Sequence, residues 1–473
     1  MLLIYFFSIA VLLAIGLFFI HNKFVHRIGI LLFSLLHIGL SVIAYQNLDS
    51  IDSFYFKMDS LAVLLSGLLS LITIPVFYHS WYYLKRHVPE RRLKGRFLSL
   101  MILLETAITG IYFTDNIILV WVGLEITSIL VTFLVYHERY PTALEAAWKY
   151  LFISSFGITL AFIGVLFLTV HSGNVGNDGL SFSQIASIAN DIPPFFLKGA
   201  FLLLVAGYSV KMNIFPLYAA TVDAKTTAPF PVNALTSTVL INAGFVAIYR
   251  TYSIIGHTEY LPWAQNVLMI IGVISLIIVS LQIFRVKRFK RMYAFSSMEH
   301  MALVTIALSL GKLGFYAALL HLILHTLAKT GMFLHFGQIR AYFQSGWFKD
   351  SGQFMTGSGV SALVYIFGIL TITAIPPSGM FMSEFLIFKA LYQSGDYFIL
   401  GLVLFLLTII IYVIFKYSMK LLYGPRPYYF KEEHVLVNRF EPISQVVLFS
   451  LAIYVAYFTP QFLTDLINAS ILF

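Results

Sequence analysis

The chain has 473 residues, 59% hydrophobic and only 11% charged, with a mean hydropathy of +0.88; that balance excludes an ordinary water-soluble domain. Cysteine is absent, which excludes disulfides, thiolate-held zinc and cysteine-bound iron–sulfur clusters, so any electron transfer would fall to a partner. A net charge of +9 would suggest nucleic acid in a soluble protein, but here the basic residues must first be placed by membrane topology, and no nucleic-acid partner is expected.

Apolar stretches of about twenty residues, the length that crosses ~30 Å of hydrocarbon, recur from end to end. They predict an all-α, polytopic membrane helical bundle of about fourteen transmembrane helices. The spans are 2–21, 28–46, 59–83, 97–115, 116–136, 148–170, 195–218, 228–250, 262–284, 294–310, 313–337, 356–394, 398–423 and 441–460. The first run, MLLIYFFSIAVLLAIGLFFIHNK, has no basic n-region and is long enough to span, so it reads as a helix rather than a cleaved signal.

Lys and Arg gather in loops after odd-numbered spans: Lys23 and Arg27, the runs 85–96 and 285–291, and Arg426, Lys431 and Arg439. The loops 47–60 and 171–194, after even-numbered spans, are acidic or nearly uncharged. The positive-inside rule therefore puts both termini outside, in what is read as a bacterial or archaeal cytoplasmic membrane. No polar stretch is long enough for a soluble domain, so residues 1–473 read as a single transmembrane domain.

Two spans are interrupted. Pro216 sits in GYSVKMNIFPLY of the seventh, and Pro376, Pro377 and Gly379 sit in TAIPPSGMFMSEF of the twelfth. Paired broken helices point to two inverted repeats, 97–250 and 262–423, with a site near the bilayer midplane.

An ionisable group at that depth costs at least ~2.5 kcal/mol and so marks function. The chain keeps Glu125, Lys211, Glu299, Lys329 and Glu384 inside apolar runs. His321, His325 and Lys329, at i, i+4 and i+8, share one helical face. The two histidines lack an HExxH context and a carboxylate close in sequence, so no metal site is expected. A proton relay through Glu125, Lys211, His321, His325, Lys329 and Glu384 is preferred, because imidazole titrates near neutrality and ammonium gives up its proton readily when desolvated. Glu125 and Lys211 are expected to pair in one state and part in another, with Glu384 as the terminal station. His300 follows Glu299, and Glu105 and Lys389 read as packing charges; Lys416 can snorkel. Nucleotide-binding and nucleophile motifs are missing, so the chain calls for no cofactor and is not catalytic alone.

These motifs resemble the proton-translocating antiporter-like subunits of complex I, Mrp antiporters and membrane-bound group 4 hydrogenases. VGLEITS carries the fifth-helix glutamate as Glu125, EAAWKYLFISS carries Lys149, and GYSVKMNIFPLY carries the seventh-helix lysine as Lys211. APFPVNALTSTVLINAGFVAIYR is similar to the eighth-helix signature, and PPSGMFMSEFLIF to the broken twelfth helix with its terminal acid. KRMYAFSSMEHMALV before HLILHTLAKTGMFLHFGQI is most like the hydrogenase-4 component F branch. Two departures stand out. The stretch after Pro216 keeps only Asp223 and Ala224 of the family pattern, and Ser237 stands where many relatives place a lysine or histidine. A serine cannot hold a proton at neutral pH, so transfer there would need water.

The resemblance implies a proton, or sodium/proton, translocating subunit whose partners are the other membrane and peripheral subunits of an oxidoreductase of the quinone or hydrogenase type. A membrane subunit of an inorganic-carbon uptake system and a non-transporting scaffold are the alternatives.

Overall fold

The computed structural model describes residues 1–20, 22–88, 90–172, 180–425 and 440–472. Arg426, Lys431 and Arg439, and parts of the loops 85–96 and 171–194, lie outside the described residues.

The chain is helical almost throughout. In order come α1 (Leu2–Phe19), α2 (Lys23–Gln46), the short hairpin β1 (Ile51–Ser53) and β2 (Phe56–Lys57), α3 (Ser60–His87), α4 (Arg91–Phe113), α5 (Ile117–Val135) and α6 (Pro141–Ser172). Then follow α7 (Phe182–Ser187), α8 (Pro194–Met212), α9 (Ala219–Thr227), α10 (Phe230–Thr236), α11 (Val239–Gly256) and α12 (Leu261–Gln282). The chain continues with α13 (Phe289–Leu308), α14 (Gly311–Phe343), α15 (Phe354–Gly357), α16 (Gly359–Ile372), α17 (Gly379–Gln393), α18 (Tyr397–Tyr423), α19 (Ile443–Tyr457) and α20 (Gln461–Ala469).

Among the described residues, 11 helical segments are long and apolar enough to cross a membrane, or 12 if α19 and α20 form one bent span. The difference from fourteen lies in the most polar and most broken segments. Lys290, Arg291 and Glu299 interrupt the apolar run of α13, and the predicted span 356–394 is two shorter helices, α16 and α17. The small hairpin was not expected; it falls in the polar loop 47–60.

Local chemistry sets the helix ends. Asn22, Asp59, Asn116, Ser181 and Ser378 each accept a backbone N–H of the following first turn, the capping that unsatisfied N-terminal donors require. The seventh span breaks before its proline. α8 stops at Met212 because Asn213 turns left-handed, with φ 62°, a conformation asparagine tolerates better than most residues. The carbonyls freed there are taken up: Ile214 N–H donates to Ser209 O (3.1 Å) and Thr221 Oγ1 to Val210 O (2.7 Å). In the twelfth span α16 ends at Ile372, and Ser378 restarts the chain as the cap of α17. The eighth span carries a break that the sequence reading missed, at Ser237 and Thr238 between α10 and α11.

The helices form two compact units, residues 1–232, 239–267 and 465–473 in the first, and 233–238 with 268–464 in the second. In the first unit α6 and α8 meet through glycines: a Cβ on Gly207 would stand 2.4 Å from Gly157 O and 2.7 Å from Ala161 N. Close backbone approach through small residues is how membrane helices gain packing without a hydrophobic drive. Beneath the loops, Arg250 bonds Asp59 (2.8 Å) and the Tyr112 carbonyl (2.9 Å) and lies 3.8 Å from Asp115. Burial pushes the Asp115 carboxyl up, and the Arg250 guanidinium pulls it partly back. In the second unit α14 is buried along its whole apolar stretch and packs against α13, α17 and α19.

Gly207→Leu forces two backbones apart and is expected to destabilise the detergent-purified protein by about 1–3 kcal/mol, read as a fall in melting temperature. Gly401→Leu, with nothing within 4 Å of its Cβ, should change little. Equal effects from the two would contradict the close α6–α8 contact.

Candidate functional site: two buried lysine clusters

Each unit contains a lysine with almost no solvent exposure. In the first, Lys211 lies in the last turn of α8, immediately before the break, and is 1% exposed. Its Nζ donates to Ser128 Oγ (2.7 Å) and Tyr150 OH (3.3 Å) and lies 5.3 Å from the Tyr150 ring centroid. Gly244 of α11 permits this placement, because a Cβ there would meet Met212 N at 2.5 Å and Lys211 Cβ at 2.9 Å.

Glu125 is not bonded directly to Lys211 among the described residues. Its Oε1 accepts from Ser155 (2.6 Å) and its Oε2 from Ser128 (3.3 Å), so Ser128 bridges acid and base. The same hydroxyl lies 3.2 Å from the Leu124 carbonyl. One proton with two acceptors makes Ser128 a rotor that can connect or disconnect the pair. In this structure acid and base are joined through the Ser128 hydroxyl, without direct contact among the described residues.

In the second unit Lys329, Glu299, His300, His321 and His325 are buried on α13 and α14, and Glu384 on α17. Among the described residues Lys329 Nζ donates only to the Tyr293 carbonyl (3.5 Å), and it lies 5.8 Å from that ring's centroid. Glu299 makes no direct ion pair with it among the described residues. The sequence spacing joined His321 to His325 along one helix face; the fold joins His321 instead to another helix. His321 Nε2 lies 3.2 Å from His300 Nδ1, and that nitrogen lies 3.7 Å from Glu384 Oε1. The His325 ring centroid is 5.4 Å from that of His300.

The remaining candidates are scattered. Lys149 is exposed and paired with Glu145 on the same helix, away from Lys211. Asp223 is half-buried on α9, and Ser237 is fully buried at the α10–α11 break with no partner for its hydroxyl among the described residues. Glu105 is fully buried; Thr73 donates to Oε2 (2.7 Å), while Oε1 has no partner among the described residues.

Several polar groups escaped the sequence reading. His37 bonds Ser70 (2.6 Å) and Thr109 (2.9 Å), and Ser41 bonds Ser66 and Ser70, making a polar ladder through α2, α3 and α4 close to Glu105. The available signal was pairs at i, i+4 on each helix: His37 with Ser41, Ser66 with Ser70, Glu105 with Thr109. In the second unit Tyr293, Tyr365 and Ser418 join hydroxyl to hydroxyl at 3.0 and 3.2 Å. Lys225 is also buried, two residues beyond Asp223. Nothing in one sequence distinguishes such tyrosines from packing aromatics.

A helical membrane bundle with broken spans and buried lysines, one of them in the last turn before a break, has the build of an antiporter-like membrane subunit. The chain belongs to the family described as "NADH:quinone oxidoreductase/Mrp antiporter, TM", which matches residues 114–410, more than half its length. It is 28% identical over 323 residues to a hydrogenase-4 component F homolog of Methylacidiphilum infernorum (isolate V4), covering 67% of this chain and 64% of that protein. It is 25% identical to hydrogenase-4 component B of Escherichia coli (strain K12), covering 76% and 54%. Against NADH-quinone oxidoreductase subunit N of Desulfitobacterium hafniense it is 24% identical, covering 68% of each. The matches thus span less than two thirds of the first two relatives.

Among solved structures, a chain of the membrane-bound sulfane sulfur reductase, an archaeal respiratory membrane complex, superposes with a TM-score of 0.86 at 21% identity, covering 99% of this chain and 97% of that one. A chain of the Mrp complex from Dietzia sp. DQ12-45-1b gives 0.84 at 14% identity, covering 99% and 96%. At those identities the likeness establishes the fold.

Thr73→Val removes the one hydrogen bond of the Glu105 carboxyl among the described residues and should cost about 1–3 kcal/mol, seen as a lower melting temperature. Adding Glu105→Leu should restore most of it; a double variant less stable than the single would contradict a carboxyl dependent on Thr73.

Proposed function

We propose that this chain is a proton, or sodium/proton, translocating subunit of a complex I-related or hydrogenase-type membrane assembly. The observation that carries the reading is that Lys211 and Lys329 are each buried against neutral oxygen groups with no direct carboxylate partner among the described residues. A permanently ion-paired lysine is held charged, whereas one held by hydroxyl and carbonyl groups can release its proton and take it back. Glu125, Lys211, His321, His325, Lys329 and Glu384 are the relay stations in this proposal. Glu299 and His300 adjust the charge around them, and Ser128 couples Glu125 to Lys211.

In this reading the bundle carries fourteen spans arranged as two inverted repeats, with both termini outside; the fold likeness to chains of respiratory and Mrp complexes supports the antiporter-like bundle. The proposed repeats are 97–250 and 262–423; the first lies in the first compact unit apart from 233–238, and the second lies in the second unit from Leu268 onward. The other subunits of such an assembly are the proposed partners, and redox chemistry is theirs.

In vesicles carrying the assembled complex, Lys211→Ala, Glu125→Gln and Lys329→Met should each abolish proton translocation while assembly persists, and Lys416→Met should be nearly silent. Normal flux in any of the first three would overturn the relay; normal flux in all three would favour a scaffold role. Because the chain has no cysteine, single cysteines can report its topology. Lys94→Cys should be labelled from the inside only and Asn47→Cys from outside only, and the reverse pattern would invert the proposed orientation.

A further inference from the structure

His300, His321 and Glu384 come from three separate helices, α13, α14 and α17, and are all buried. One ligand atom from each lies within 4.8 Å of the other two. His300 Nε2 faces the Ile372 carbonyl at 3.1 Å. A carbonyl can only accept, so Nε2 carries the hydrogen and the neutral ring presents a bare lone pair at Nδ1. His321 Nδ1 faces Ser383 Oγ at 2.9 Å, and that hydroxyl donates to the Met380 carbonyl (2.9 Å). With that hydroxyl proton on the Met380 carbonyl, His321 Nδ1 donates to Oγ and Nε2 is bare; with it on His321 Nδ1, Nε2 carries the hydrogen toward His300 Nδ1. In the first tautomer, with Glu384 ionised, two imidazole lone pairs and a carboxylate oxygen converge at a buried point with no donor among the three. Converging acceptors repel unless a cation stands between them.

We propose that His300 Nδ1, His321 Nε2 and a Glu384 carboxylate oxygen form a binding site for a divalent transition-metal ion of the zinc class. Four features support it. Two of the three ligand separations, 3.2 and 3.7 Å, bracket the about 3.3 Å edge of a tetrahedron with metal–ligand bonds of ~2.0–2.1 Å, and the third is within 4.8 Å. Two nitrogens and one carboxylate suit zinc or copper and disfavour sodium, magnesium and calcium, which take oxygen shells. Three protein ligands leave a fourth position open, as in sites that exchange their metal or bind water. The outer nitrogens of both histidines are already anchored, His300 on Ile372 O and His321 on Ser383 Oγ, which is the outer-shell support that metal-bound histidines carry.

The ion and a proton compete for one position. Where His321 and Glu384 serve as relay stations, as proposed above, a bound zinc ion removes both from the relay and stops flux through this unit. The binding claim does not depend on that reading, because binding is measured without transport.

The test is a titration of the metal-stripped, detergent-purified assembly with Zn2+, followed by calorimetry, and with Co2+, followed by its visible absorption. The wild type should bind one equivalent that His300→Gln, His321→Gln and Glu384→Gln each lose, with intense absorption indicating a four-coordinate Co2+ ion. Ser383→Ala keeps the three ligands and should weaken Zn2+ binding about 10–100-fold, while His335→Gln, a buried histidine outside the cluster, should leave it unchanged. Variant melting temperatures without metal, matched to the wild type, separate lost ligands from lost fold. Absence of saturable Zn2+ binding in the wild type below about 100 µM, about 5.5 kcal/mol, would overturn the site, as would an equivalent that survives all three ligand substitutions.

Discussion

The arrangement depends on what surrounds a buried ammonium group. Moving one into hydrocarbon costs at least ~2.5 kcal/mol, and the usual compensation is a carboxylate in contact. Lys211 is given Ser128 Oγ and Tyr150 OH instead, and Lys329 the Tyr293 carbonyl. The Glu125 carboxylate stands one hydroxyl away, behind Ser128, and Glu299 makes no direct ion pair with Lys329 among the described residues. Each lysine is thus held by neutral oxygen atoms, and its proposed release and recapture of a proton rests on that. At Lys211 a helix break makes this possible: α8 ends one residue later, at Met212, and the freed carbonyls of Ser209 and Val210 are satisfied locally, leaving the ammonium to side chains of α5 and α6.

Much of the fold could be read from one sequence, for reasons specific to membranes. Apolar runs of span length and charges stranded inside them survive any choice of neighbours, so Glu125, Lys211, Lys329 and Glu384 stood out and the structure buries or half-buries each. Proline marked the two broken spans, although the seventh stops at the left-handed Asn213 rather than at Pro216. The α10–α11 break at Ser237 lacks proline and glycine, and a hydropathy pattern passes over it. The span at 294–310 was legible as a helix, but its own charges keep it from standing out as a crossing segment.

What the sequence could not supply is which side chains meet. Spacing within one helix related His321 to His325; packing among three helices relates His321 to His300 and Glu384. Lys149, picked out by motif, faces outward and pairs with Glu145. The polar ladder from Ser66 through His37 to Thr109 and the tyrosine chain of the second unit require three helices each, and no within-helix period encodes such a meeting. Hydroxyl groups were undervalued for the same reason: a serine in an apolar helix is common, and only Ser128's position between Lys211 and Glu125 gives it meaning.

Charge and proton release at Lys211 can be separated directly by Lys211→Arg, because guanidinium keeps the positive charge and does not deprotonate in proteins. If Lys211 works by releasing a proton, vesicles carrying the Arg variant, assembled and melting like the wild type, should show no proton flux. Flux at the wild-type rate would contradict the claim and leave Lys211 as a fixed charge.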